Sequence, residues 1–242
     1  MSAVVAGELD KVRTLASTWT VVGLALVAQL VLALLARDDT VRVAGSDGGT
    51  PLGQIGGVML APVYVLAALG ALAAGTEYLN GQLRVSLLAV PDRPRLFGAQ
   101  LVAVTAASAA AAVVVVVPAH LVQHSGLLAE GTLTPGAAAV DVVALVAVYT
   151  LVPVVAFGLA VLARGAVLPL VVLVVAGLLV APTLRGALPD LIALLPHDAA
   201  LSAVGLPEGT DPLPRWAGLG VLAAWAAALV GAAGVTFTRR DA

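Results

Sequence analysis

The chain has 242 residues, of which 61% are hydrophobic and 11% charged, with a formal net charge of −2 and no cysteine. Soluble domains run at roughly 45–50% apolar and about 25% charged residues, so this is the composition of an integral membrane protein. It excludes a nucleic-acid binder, which needs a basic patch or run, and it removes disulfides, thiolate metal sites and cysteine nucleophiles together.

The chain starts with an amphipathic lead. Val5, Leu9, Val12, Ala16 and Trp19 recur every three or four residues, while Glu8, Asp10, Lys11 and Arg13 take other positions. This pattern predicts an interfacial helix along one leaflet, with Trp19 at headgroup level. Because Lys11 and Arg13 sit within the lead and the apolar run that follows is long enough to span, the segment is read as leading into a first transmembrane helix rather than as a secretory signal.

A bilayer core of about 30 Å needs about 20 helical residues. Runs of that kind lie at Trp19 to Ala36, Ile55 to Gly75, Leu96 to Val122, Ala137 to Ala163, Gly165 to Pro182 and Trp216 to Phe237. The fourth and fifth form one apolar stretch of 46 residues, interrupted by Arg164 and Gly165. As a continuous helix it would be about 69 Å long, more than twice the hydrocarbon thickness, so the chain is expected to turn back at Arg164-Gly165. The connection Arg37 to Gln54, with Gly48-Gly49 and Pro51, reads as a flexible loop. The stretch from Thr183 to Arg215 holds two apolar pieces too short to cross, Ala187 to Leu195 and Ala199 to Leu206, separated by Pro196-His197-Asp198. They are read as re-entrant or surface-lying helices. The expected fold is therefore an all-α integral membrane protein: a single transmembrane domain of six helices with an N-terminal interfacial helix and short helices before the last span.

Six spans put both termini on the side that carries Lys11, Arg13, Arg84, Arg93, Arg95, Arg164, Arg239 and Arg240, against Arg37, Arg42, Arg185 and Arg215 opposite. Eight against four places both termini in the cytoplasm by the positive-inside rule. A single lysine against eleven arginines, with abundant Ala, Val, Leu and Gly, suggests a GC-rich genome and a bacterial cell membrane.

No phosphate-loop motif and no His-Glu-x-x-His occurs, and His120, His124 and His197 lack carboxylates at a metal-ligand spacing. No catalytic, cofactor-binding or metal-binding residue is assigned. Gln29, Thr105, Ser108, Tyr149 and Thr150 lie within spans and either line a path or hydrogen-bond between helices. Asp141, about one turn into the fourth span, is either a pathway residue or a solvated helix start.

The one dense polar segment runs from Thr76 to Gln100. It contains Glu77-Tyr78 at the end of the second span, Gly81-Gln82-Leu83-Arg84, and Pro91-Asp92-Arg93 leading into the third span, with Arg95 beyond. With the interfacial lead, the six spans and the Phe237-Thr-Arg-Arg-Asp241 ending, these motifs resemble the permease subunits of type-2 ATP-binding-cassette exporters. Asn80 and Gln100 depart from the residues more usual there. The resemblance implies a homodimer or heterodimer of permease subunits in the lipid bilayer, docked on separate ATPase subunits that carry the ATP and magnesium. It also implies that Glu77 to Arg95 is the coupling segment: Leu83, Val85, Leu87 and Leu88 as a hydrophobic anchor, and Glu77, Arg84, Arg93 and Arg95 as charges at its rim. The alternatives are a stand-alone secondary transporter or channel, against which the scarcity of intramembrane charge weighs, and a non-transporting membrane anchor subunit. An intramembrane hydrolase would need a convergent nucleophile, base and orienting group, and no such set is visible.

Overall fold

A computed structural model describes residues 2–37, 60–79, 81–126, 133–206 and 213–239. Most of the first loop, the start of the second predicted span at Ile55, Asn80 and Arg240 lie outside these residues. Among the described residues the chain is helical, without a strand. The elements are α1 (Ser2–Thr14), α2 (Ala16–Arg37), α3 (Ala61–Gly75), α4 (Gln82–Ala89), α5 (Arg93–Gln123), α6 (Pro135–Ala163), α7 (Val167–Leu184), α8 (Pro189–Ala193), α9 (Pro196–Ala203) and α10 (Arg215–Arg239). Five of them, α2, α5, α6, α7 and α10, are long and apolar enough to cross a membrane. The described part of α3, 15 residues, spans about 22 Å.

The core is organised around α6, which packs along α3, α5 and α10, while α2 lies against α3 and α5. Small residues let the backbones approach closely. A Cβ on Gly70 of α3 would lie 1.9 Å from the carbonyl oxygen of Pro153 in α6, and one on Gly75 would lie 2.5 Å from the amide nitrogen of Ala166. On α2 the buried residues Ala25, Gln29 and Ala33 recur every four positions, one helical stripe. Its other faces expose Leu24, Val27, Val31 and Leu34, the pattern expected where lipid rather than protein completes the packing.

The helix start and stop chemistry is local. Asp92 caps α5 by accepting a hydrogen bond from the amide of Arg95, Thr134 caps α6 by accepting one from Ala137, and each helix has a proline in its first turn. Helix α6 stops at Ala163 because Arg164 adopts the left-handed conformation (φ 54°), with the Gly165 amide reaching back to the Ala160 carbonyl at 3.2 Å. Helix α7 contains a π-helical stretch, Ala176–Val180.

Two expectations need correcting. The apolar stripe from Val5 to Trp19 does not continue: Val12 is buried and Val5 and Leu9 half-buried against α5, but Ala16 and Trp19 are exposed. The chain breaks at Leu15, which resets the phase of the helix, and the Trp19 indole donates to the Arg13 carbonyl at 2.8 Å. Pro196-His197-Asp198 is no separator but the first turn of α9. Proline suits the first helical position and Asp198 suits the positive end of the helix. Helix α9 is also not surface-lying: His197 to Ala203 are all buried, with α9 packed on α10.

Candidate functional site

The polar segment after α3 builds one end of the bundle. A 3₁₀ turn, Thr76–Tyr78, closes α3, Gly81 takes a left-handed conformation (φ 73°), and α4 leaves at 86° to α3. A helix of eight residues lying across its predecessor cannot bury all its apolar side chains, since successive residues point 100° apart. Leu83 and Leu87 are half-buried and turned to the bundle, whereas Val85 and Leu88 are 66% and 83% exposed and Leu79, just before, is 58% exposed. The four residues read as one anchor thus split into an inner and an outer pair.

Glu77, read as a rim charge, is turned into the molecule and is 5% exposed. One carboxylate oxygen accepts from Lys11 Nζ at 3.1 Å and the other from Ser86 Oγ at 2.8 Å. Lys11 also donates to Glu8 at 2.8 Å and approaches Ser86 Oγ at 3.3 Å. Burial opposes its charge, but the hydrogen bond and charge of Glu8 and the charge of Glu77 outweigh that and raise its pKa above the ordinary lysine value. This knot ties α1 to the α3–α4 corner. The lone lysine was the available signal for it; nothing in the spacing of residues 11 and 77 pairs them.

Of the remaining segment, Arg84, Pro91 and Arg95 are exposed, Tyr78 is half-buried, and Arg93, half-buried, donates to the Phe237 carbonyl at 3.5 Å. Glu77, Tyr78, Gly81, Arg84 and Arg93 line a cavity of about 260 Å³ together with Leu83, Leu87, Val161, Arg164, Thr236 and Phe237. Arg164 and Phe237 come from other ends of the chain. Phe237 belongs to a cluster of all three phenylalanines, Phe97 lying 5.8 Å from Phe157 and 5.6 Å from Phe237 between ring centroids.

Of the candidate path residues, Tyr149 and Gln29 meet, and the others bond elsewhere or stand apart from them. The Tyr149 hydroxyl, fully buried on α6, donates to Gln29 Oε1 of α2 at 2.5 Å. Thr105 and Thr150 bond the carbonyls of Leu101 and Val146 one turn back. Ser108 is fully buried. Asp141 accepts from Arg215 at 2.5 Å, joining the starts of α6 and α10, and Arg215 also donates to the Ala203 carbonyl at 2.9 Å.

A second cavity, about 240 Å³, lies between α3, α6, α7, α9 and α10 and is walled by apolar residues such as Val155, Leu173 and Leu229. Sequence reading missed the pair at its edge, the Tyr64 hydroxyl and His197 Nδ1, 2.5 Å apart over Gly177 in the π-helical stretch. Burial, with the Arg185 charge adding to it, pushes His197 down to about 4. Arg185 in turn pairs with Asp198 at 2.6 Å. A third cavity, about 340 Å³, lies between α1, α5 and the end of α3, lined by Glu8, Lys11, Glu77 and Gln100 among others. None of Gln29, Thr105, Ser108, Asp141 and Tyr149 lines any of these three. In comparison with known proteins, the chain matches no protein-family model, no curated protein and no solved structure.

Proposed function

We propose that this chain is the permease subunit of an ATP-driven exporter of the type-2 ATP-binding-cassette class. On this reading α3 completes a sixth span, both termini face the cytoplasm of a bacterial cell, and two permease subunits stand on separate ATPase subunits that hold ATP and magnesium. The carrying observation is α4: a short helix set crosswise to α3, joined to α1 through Glu77 and Lys11, with Leu79, Val85 and Leu88 exposed beside Arg84. An apolar patch rimmed by charge is the form of a protein-docking surface. Force applied to α4 is transmitted to two helices at once, α3 through the corner and α1 through the ion pair, as conversion of ATPase closure into helix movement requires.

The test is isolation of the tagged chain from its native membrane in mild detergent, with mass spectrometry of what accompanies it. A stoichiometric ATPase subunit, lost in Leu88→Glu while membrane insertion is kept, is the expected result. A chain that comes away alone after cross-linking, or a Leu88→Glu variant that retains its ATPase, overturns the proposal.

A further inference from the structure

We infer that the arginine-lined cavity at the α3–α4 corner binds the phosphate group of an anionic phospholipid. Arg84 on α4, Arg93 at the start of α5 and Arg164 in the α6–α7 turn line one space of about 260 Å³, the Arg93 guanidinium also donating to the Phe237 carbonyl. Among the described residues one carboxylate lines it, that of Glu77, and its two oxygens are taken by Lys11 and Ser86. Its described lining thus holds more basic than acidic residues, and planar guanidinium forks match phosphate oxygens in pairs.

Two further observations narrow the ligand. The apolar part of the lining, Leu83, Leu87, Val161 and Phe237, comes from α4 and from the last turns of α6 and α10. A phosphate seated there shares the cavity with apolar side chains, which suits a lipid headgroup better than a soluble anion. Basic pockets between helices at the cytoplasmic ends of spans are a recurrent form of anionic headgroup site. Arg164 is, besides, the one residue other than glycine with positive φ among the described residues. The left-handed conformation is costly for a residue with a Cβ, and glycine usually fills this capping position. Here Gly165 follows and Arg164, a residue of the cavity lining, takes the strained place.

The inference rests on the membrane placement of the chain and not on the exporter assignment. It is tested on the purified full chain in nanodiscs of phosphatidylcholine, with and without phosphatidylglycerol, by thermal unfolding and by mass spectrometry of retained lipid. Inorganic phosphate at matched concentration forms a separate arm. The expected result is preferential retention of phosphatidylglycerol and a rise in Tm of about 2–4 °C over phosphatidylcholine alone. Arg84→Gln and Arg164→Gly should each weaken retention about fivefold. Arg164→Gly also relieves the strained turn, so its loss of lipid cannot be ascribed to unfolding. Equal retention of the two lipids, an equal response to inorganic phosphate, or undiminished retention in the double variant Arg84→Gln/Arg164→Gly overturns the inference. If the double variant keeps its lipid but loses an ATPase subunit, the arginines serve a protein partner and the inference again fails.

Discussion

Lys11 and Glu77 stand 66 positions apart in sequence and 3.1 Å apart in space, and their ion pair ties the N-terminal helix to the corner where α3 turns into α4. Because Glu77 is buried while Lys11 is only partly so, the two ends of the pair are not equivalent. Removing the lysine leaves a buried carboxylate with Ser86 alone, whereas removing the carboxylate leaves an ammonium that still has Glu8 and water.

Lys11→Ala should therefore destabilise the protein by about 1–2 kcal/mol, below the full cost of breaking a wholly buried pair because Lys11 is partly solvated. Adding Glu77→Ala to it should cost less than the sum of the single changes. Reversible unfolding in mixed micelles checks both. The raised pKa of Lys11 sets the pH window: its contribution is fully present below about 10.5, the unfolded value, and is lost as pH rises through the higher folded value. Stability flat from pH 7 to 10 agrees with this; a fall within that range for the native chain but not for Lys11→Ala contradicts it.

Tyr149→Phe separates the two roles considered for the polar residues inside the spans. The Tyr149–Gln29 bond joins α2 to α6, and such interhelical bonds are worth about 0.6 kcal/mol, rising to about 1.7. The expected outcome is a stability loss of that order, with the proposed transport per correctly inserted molecule unchanged. Altered substrate selectivity at unchanged stability would show that Tyr149 lines a path.

Gly70→Ala should be among the most damaging small changes. The added methyl meets the Pro153 carbonyl oxygen at 1.9 Å, so α3 must move off α6. A loss of about 3 kcal/mol or failure to accumulate in the membrane is expected. Gly220→Ala on α10 meets nothing within 4 Å and should be neutral or stabilising by up to about 1 kcal/mol. Equal tolerance of the two would refute the close α3–α6 contact.

Acid should weaken the packing around α9. With His197 held neutral down to about 4 by burial and the nearby Arg185 charge, and an ordinary histidine value of 6.5 in the unfolded chain, the unfolded state binds a proton first as pH falls. Stability therefore declines from about pH 6.5 toward pH 4 and recovers as pH rises, by up to about 3 kcal/mol over the window. Tyr64, Arg185 and Asp198 are the polar groups around it. His197→Gln should remove this acid-side slope in unfolding curves taken at successive pH values; a slope that persists unchanged assigns it to another group.

Much of the architecture follows from elementary lengths. A 46-residue apolar stretch is too long for one crossing, so a turn is legible from residue count and its place from the interruption at Arg164-Gly165, and the helix ends at Ala163. The proline and aspartate before α5, and the threonine before α6 with the proline that opens it, announce helix starts for the same local reason. What periodicity misses is phase: Leu15 breaks the lead helix and throws Trp19 to the exposed side, and the crosswise α4 divides Leu83 and Leu87 from Val85 and Leu88.

By itself, then, the sequence determined an all-helical chain of membrane composition, where its long helices lie and which short segment is polar, because hydrophobicity, caps and prolines act over a few residues. Only the tertiary structure decided that Glu77 turns inward to Lys11, that Tyr149 bonds Gln29, that Asp141 holds Arg215, and that Arg84, Arg93 and Arg164 share one cavity. Those pairings depend on which helices become neighbours and at what depth and rotation. That is settled by close packing at residues such as Gly70 and Gly75, and an interaction between residues far apart leaves no periodic trace along the chain.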